Sequence, residues 1–159
     1  MSPQFDLSQR LQRAWAFSQK LPFGKRVYSR LLGLMVPYTA TVSPHVEVFQ
    51  PGRAEVVIRD KRRLRNHLRS VHAIALANAA ELAGNLALIA SMPQGMRFIV
   101  TGMDLRYLKK ARGVIRAVGS CPLPVTEEKQ SIVLSVSLID ANRVEVATAT
   151  ITSLVDRLR

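Results

Sequence analysis

Three polar residues stand together in the middle of the chain: Asn66, His72 and Glu81, within the stretch NHLRSVHAIALANAAELAGNLALIA. Asn66 sits just ahead of a helical run, His72 falls in its opening turn, and Glu81 lies mid-helix among Ala and Leu. Removing an ionised carboxylate from water is expensive, so a Glu in so apolar a run must be paired, solvated or employed. The start of a helix offers backbone N–H groups without partners and the positive end of the helix dipole, which suit an oxygen gaining negative charge. A carboxylate and an amide-rich helix start are parts that attack on a carbonyl requires. Each residue also has a plainer reading: an arginine partner across a subunit interface for Glu81, a turn or helix cap for Asn66, a structural role for His72.

The elements that must position these residues follow from periodicity. Residues 6–33 are helical in pattern, with Leu7, Leu11, Trp15 and Ser18 on one face and Leu21 near it. Pro22 and Gly24 break the run, and a second short helix carries Val27, Leu31 and Leu34. Val46 and Val48, then Ala54, Val56 and Ile58, alternate with polar residues around Gln50-Pro51-Gly52-Arg53, the pattern of a hairpin. A basic stretch precedes the apolar helix, which is expected over residues 70–91 and ends at Pro93 and Gly95. Asn78, Glu81 and Asn85 recur at helical spacing along it and predict one polar stripe. Its many alanines and Gly84 let a sheet approach closely. Strands are expected over residues 98–108, 113–118, 131–140 and 144–154, the last two joined by the turn Asp140-Ala141-Asn142-Arg143.

This order predicts an α+β fold: a curved antiparallel sheet wrapped around one long central helix, which explains why that helix is apolar nearly all round. Residues 1–36 would form an N-terminal helical extension and 37–159 the main domain. A length of 159 residues suits one core. The single Cys121 excludes a disulfide framework within the chain, no Cys/His spacing suggests a metal, and a reducing cytoplasm is the expected compartment. The apolar helix is long enough to raise a membrane span, but Asn78, Glu81 and Asn85 argue against one. Twenty-three Lys and Arg against eleven Asp and Glu leave a net charge of +12, which attracts polyanions without choosing among them. Nucleic acid is disfavoured, because recognition motifs are missing and stacking aromatics are sparse. The basic N-terminal helix suits peripheral contact with a membrane or docking on its own domain.

At these residues the chain resembles the hotdog-fold acyl-CoA thioesterases, in particular the branch with the phenylacetate-pathway and hydroxybenzoyl-CoA enzymes. That branch places an Asn or Gln before a His-Gly-Gly at the start of the central helix, with an acid about two and a half turns further on. Here the pattern reads Asn66, then His72-Ala73-Ile74, then Glu81. Both glycines are changed; Ala73 keeps its backbone N–H, and Ile74 would narrow the thioester channel. The chain is also similar to a hotdog family mostly without assigned function. The resemblance implies hydrolysis of an acyl-CoA or acyl-carrier thioester, with the Ala73 N–H on the thioester oxygen and Glu81 as nucleophile or base. Asn66 would orient water or the carboxylate, His72 would bond the thioester or cap the turn, and Asn85 would be a polar helper. It also implies CoA only as part of the substrate, phosphate contacts from Lys109, Lys110 and Arg112, and a homodimer or dimer of dimers with composite sites. Two alternatives remain at this point: an acyl dehydratase using His67 and Glu81, and a non-enzymatic acyl-CoA or lipid-surface binding module.

Overall fold

The structure, a computed structural model, describes residues 3–158, with side chains described from Gln9 onward. Three helices open the chain: α1 (Pro3–Ser18), α2 (Gly24–Met35) and the four-residue α3 (Pro37–Ala40). A hairpin of β1 (His45–Gln50) and β2 (Arg53–Arg59) follows, then the long helix α4 (Ala73–Ser91). Four strands complete it: β3 (Met96–Tyr107), β4 (Val114–Ser120), β5 (Gln130–Ile139) and β6 (Glu145–Arg157). All pairings are antiparallel, in the order β1-β2-β4-β5-β6-β3. The expected α+β arrangement is the one observed.

The sheet curls around α4, which packs against β1, β2, β4, β5 and β6. Strand alternation sets the inner face: Ile132, Leu134, Val136 and Leu138 of β5 are buried, as are Ile151 and Val155 of β6. Small residues permit the close approach. Gly84 of α4 faces Ile151, and Gly119 of β4 lies against the carbonyl of Ala83, where an added Cβ would fall 2.3 Å from that oxygen. In the β1–β2 turn, Gly52 adopts φ of +79°, a conformation natural to glycine, and its N–H donates to the Ser91 hydroxyl at the end of α4.

The first helix docks through the face read from its periodicity: Leu11 and Ser18 are buried and Trp15 half-buried, while Leu21 is exposed. Leu7, expected on that face, lies outside the residues whose side chains are described. Trp15, Tyr28 and Phe49 join α1, α2 and β1 in one aromatic cluster with ring centroids 5.0–6.2 Å apart. In α2 the buried positions are Gly24, Tyr28, Ser29 and Leu32, and Val27, Leu31 and Leu34 face solvent. The central helix is long and apolar enough to cross a membrane by length and composition, but most of it is buried in the sheet.

Replacing Gly119 with alanine forces a methyl group into the backbone of α4, where no side-chain rotation relieves it. The cost is expected at about 3 kcal/mol, lowering the thermal midpoint by roughly 10 °C. Gly102→Ala, with no atom within 4 Å of the added carbon, is expected to stay within about 0.5 kcal/mol. Equal melting of the two variants would contradict this packing.

Candidate functional site

The loop from Asp60 to His72 delivers the chain to the start of α4, and hydrogen bonds fix its path. Asp60 accepts from Arg65 Nε at 2.6 Å and from the Gly113 N–H at 3.3 Å. Val71 donates to the Ala111 carbonyl at 2.8 Å, and the His72 N–H to the Leu64 carbonyl at 2.7 Å. Within the loop, the Asn66 side-chain oxygen accepts from the N–H groups of Leu68 and Ser70 and from the Ser70 hydroxyl. Asn66 therefore closes a turn with its oxygen, and its NH2 group has no acceptor among the described residues. His67, at the exposed turn, lies outside the helix.

His72 is the N-cap of α4 rather than part of its first turn, and the helix begins at Ala73, not at residue 70. Its Nδ1 accepts from the Ile74 N–H at 3.1 Å, so Nδ1 serves the cap and Nε2 is the other ring nitrogen left to face outward. The cap consumes the second amide of the helix and leaves the first: the Ala73 N–H has no acceptor among the described residues. At this end of α4 the dipole favours negative charge. Tyr107 Oη lies 3.4 Å from the Ala73 carbonyl.

Glu81 departs from expectation. It is exposed, with no ion pair among the described residues, so in the single chain water solvates it and the desolvation cost does not arise. The sheet covers α4 on every side but one, and the open stripe runs through Ile74, half-buried Ala77, Glu81 and half-buried Asn85. The predicted polar stripe is thus divided. Asn78 is buried and donates to the Tyr38 carbonyl and the Thr41 hydroxyl, tying α3 to α4. Asn85 stays on the open side, and its buried side-chain oxygen has no partner.

The start of α4 lies beside the free edge of the sheet, where Tyr107 of β3 reaches the Ala73 carbonyl. Strand β3 pairs only with β6, and most of its residues are exposed, Ile99, Met103 and Tyr107 among them. The β3–β4 loop bears exposed Lys109, Lys110 and Arg112, and its buried Ala111 is the acceptor of Val71. These three cations therefore stand beside the start of α4. A hollow of about 440 Å³ there is lined by residues including Tyr38, Arg63, His72, Ile74 and Asn78. Among the described residues no group of three or more His, Cys, Asp or Glu is placed to hold a metal ion.

The structure gathers Asn66, His72, the Ala73 N–H and the basic loop at one end of α4, and keeps Glu81 away from them. Eight residues of helix separate Ala73 from Glu81, about 12 Å along the axis. Sequence spacing placed Glu81 on this helix, and its polar spacing with Asn85 marked the face that lies open. How far that face opens depends on where the sheet stops.

Residues 24–155 match the family model described as Domain of unknown function (DUF4442). The chain belongs to the DUF4442 family. Its fold is the hotdog fold, shared with solved structures along most of its length. A structural-genomics protein designated APC5556 is 35% identical and superposes with a TM-score of 0.79, over 95% of this chain and 98% of that one. A Pseudomonas aeruginosa protein of unknown function, described as a probable thioesterase, is 22% identical with a TM-score of 0.73, over 87% and 97% of the two chains. A thioesterase from Haemophilus influenzae is 14% identical with a TM-score of 0.68, over 76% and 83%. Comparison with curated proteins returns no match. This DUF4442 chain has the six-stranded antiparallel sheet and the long central helix of the thioesterase-type hotdog proteins.

Asp60 provides a test of the loop. The hydrogen bond from Arg65 holds its carboxyl below the usual aspartate range, against an opposing push from burial and with help from the Gly113 N–H. A folded-state value below the unfolded one stabilises fully above the unfolded value, near 4, and the contribution is lost as pH falls through the folded value. Asp60→Asn is expected to lower the urea midpoint at pH 7, and the gap from wild type to close below about pH 4. A gap that persists unchanged into acid would contradict the ion pair.

Proposed function

We propose that the protein is a cytoplasmic thioesterase that hydrolyses an acyl-CoA or acyl-carrier thioester at a site shared by two protomers. The observation that carries this reading is the unengaged N–H of Ala73 at the positive end of a buried helix. Such a donor, fixed before the reaction, stabilises the charge that grows on a thioester oxygen under attack. The thioesterase names of the neighbouring structures point the same way.

The acid comes from the second chain. With about 12 Å of helix between Ala73 and Glu81, and Ile74 exposed on the intervening surface, one protomer does not set both groups on a single carbonyl. A long unpaired edge such as β3 invites pairing with another strand, and two-fold pairing of β3 with its counterpart extends the sheet. That pairing brings the open stripes of the two α4 helices together. Each Glu81 then faces the other helix's start.

In the reaction, Glu81 of one protomer removes a proton from water, or attacks the carbonyl itself, while the Ala73 N–H of the other holds the oxyanion. The C–S bond breaks and the thiolate leaves and takes up a proton; the acyl group departs as carboxylate, directly where water attacked, or, where Glu81 attacked, after a water hydrolyses the Glu81–acyl anhydride and restores the free carboxylate. Asn66 offers its NH2 group to the water or the carboxylate. Asn85 places its unpartnered oxygen one turn beyond Glu81, and His72 acts by keeping Ile74 N–H occupied. Lys109, Lys110 and Arg112 receive the phosphates of CoA, which enters only as part of the substrate.

Proline is tolerated at the first position of a helix, and His72 already has the extended backbone that a following proline requires (φ −62°, ψ 142°). Ala73→Pro thus deletes the one N–H while keeping the fold. In a thiol-release assay over short, long and aromatic acyl-CoAs, it is expected to lower kcat on the order of a hundredfold at unchanged melting temperature. Glu81→Gln is expected to lower kcat by about a hundredfold or more with affinity for acyl-CoA retained. Turnover that survives both substitutions, or no thiol release from any acyl-CoA or acyl-carrier by wild type, would refute the assignment.

A further inference from the structure

The outer face of α2 is apolar to a degree the core does not explain. Phe23, Val27, Leu31 and Leu34 are 72, 50, 50 and 77% exposed, and their spacing places the last three in one stripe along the helix. Tyr38 extends the patch at 69% and Phe17 at 63%. Exposed apolar residues gathered on one helix face on the outside of a folded domain are the kind of surface that marks an interaction site.

Its charge decides what it meets. No Asp or Glu occurs between residues 7 and 46, whereas Arg10, Arg13, Lys20, Lys25, Arg26 and Arg30 do. Flanking α2, a cleft of about 940 Å³ that includes Leu34 of the stripe is lined in part by Arg26, Arg30, Arg59 and Lys61, with Glu47 also on its wall. None of these four has a carboxylate partner among the described residues; the nearby Glu47 is taken by Lys25 and His45. Two-fold contact of this face with a second copy would oppose Arg26 and Arg30 to their own counterparts, with no acid on the helix to offset them.

We infer that α2 docks the protein on an anionic lipid bilayer, its Phe23–Leu34 stripe entering the headgroup region and Arg26, Arg30, Arg59 and Lys61 meeting lipid phosphates. Apolar burial and attraction to anionic headgroups act together in such helices. The inference goes beyond the hydrolase reading and does not rest on it, since the readout is binding.

The test is co-sedimentation of the full chain with vesicles of phosphatidylcholine alone, or of phosphatidylcholine mixed with phosphatidylglycerol. Wild type is expected to bind the mixed vesicles and not the neutral ones, and to release as salt is raised. Leu31→Glu/Leu34→Glu is expected to weaken binding by roughly tenfold or more. Arg26→Gln/Arg30→Gln is expected to weaken it about fivefold per arginine, the weight of ~1 kcal/mol for each basic residue near an anionic surface. All four residues are exposed, so unchanged thermal melting serves as the control for folding. Failure to bind anionic vesicles at low salt, or binding that neither pair alters, would overturn the proposal. So would a leucine pair whose only effect is to dissociate a dimer of the free protein.

Discussion

The rigidity of α4 governs this molecule. A hydrogen-bonded helix fixes the spacing of everything mounted on it, and the sheet holds this one on all sides but one. Gly119 rests on the Ala83 carbonyl and Gly84 under Ile151, so the middle of the helix is closely packed against the sheet. The Ala73 N–H and Glu81 are therefore held about 12 Å apart along the axis. On the proposed reading, a shared carbonyl then takes one of the two groups from a second chain, and the packing that stabilises the fold is what leaves the proposed site incomplete in one protomer.

The two ends of the sheet carry different surfaces. At one, β1 is covered by α2, whose outer side is apolar and basic. At the other, β3 has a free edge beside the start of α4. The proposed docking and pairing surfaces sit at opposite edges of the sheet, with four strands between β1 and β3.

Much of this was legible in the sequence. The two-residue alternation of Ile132, Leu134, Val136 and Leu138, the hairpin at Pro51-Gly52, and the long apolar helix each carry a period or turn chemistry that local physics dictates, and their order implies the curled sheet. The motif residues were placed near the helix start for the same reason. What the sequence did not disclose concerns surfaces. Periodicity marks α2 as amphipathic, but Tyr28 and Leu32 compete with Val27, Leu31 and Leu34 for the inward side, and only the position of β1 decides between them. Composition makes α4 look buried all round, and how far its one polar stripe lies open depends on where the sheet stops. Asn66 belongs to a third kind: its side chain satisfies three turn donors, a role sequence permits but cannot distinguish from catalysis.

The shared site is tested most directly by mixing two disabled chains. Protomers carrying Ala73→Pro and protomers carrying Glu81→Gln, differently tagged and co-expressed, form heterodimers in which one of the two sites receives an intact N–H from one chain and an intact carboxylate from the other. Random pairing makes half the dimers mixed, so thiol release is expected to recover to about a quarter of wild type, concentrated in the doubly tagged fraction. A doubly tagged fraction as inactive as either parent would contradict a site built across two chains.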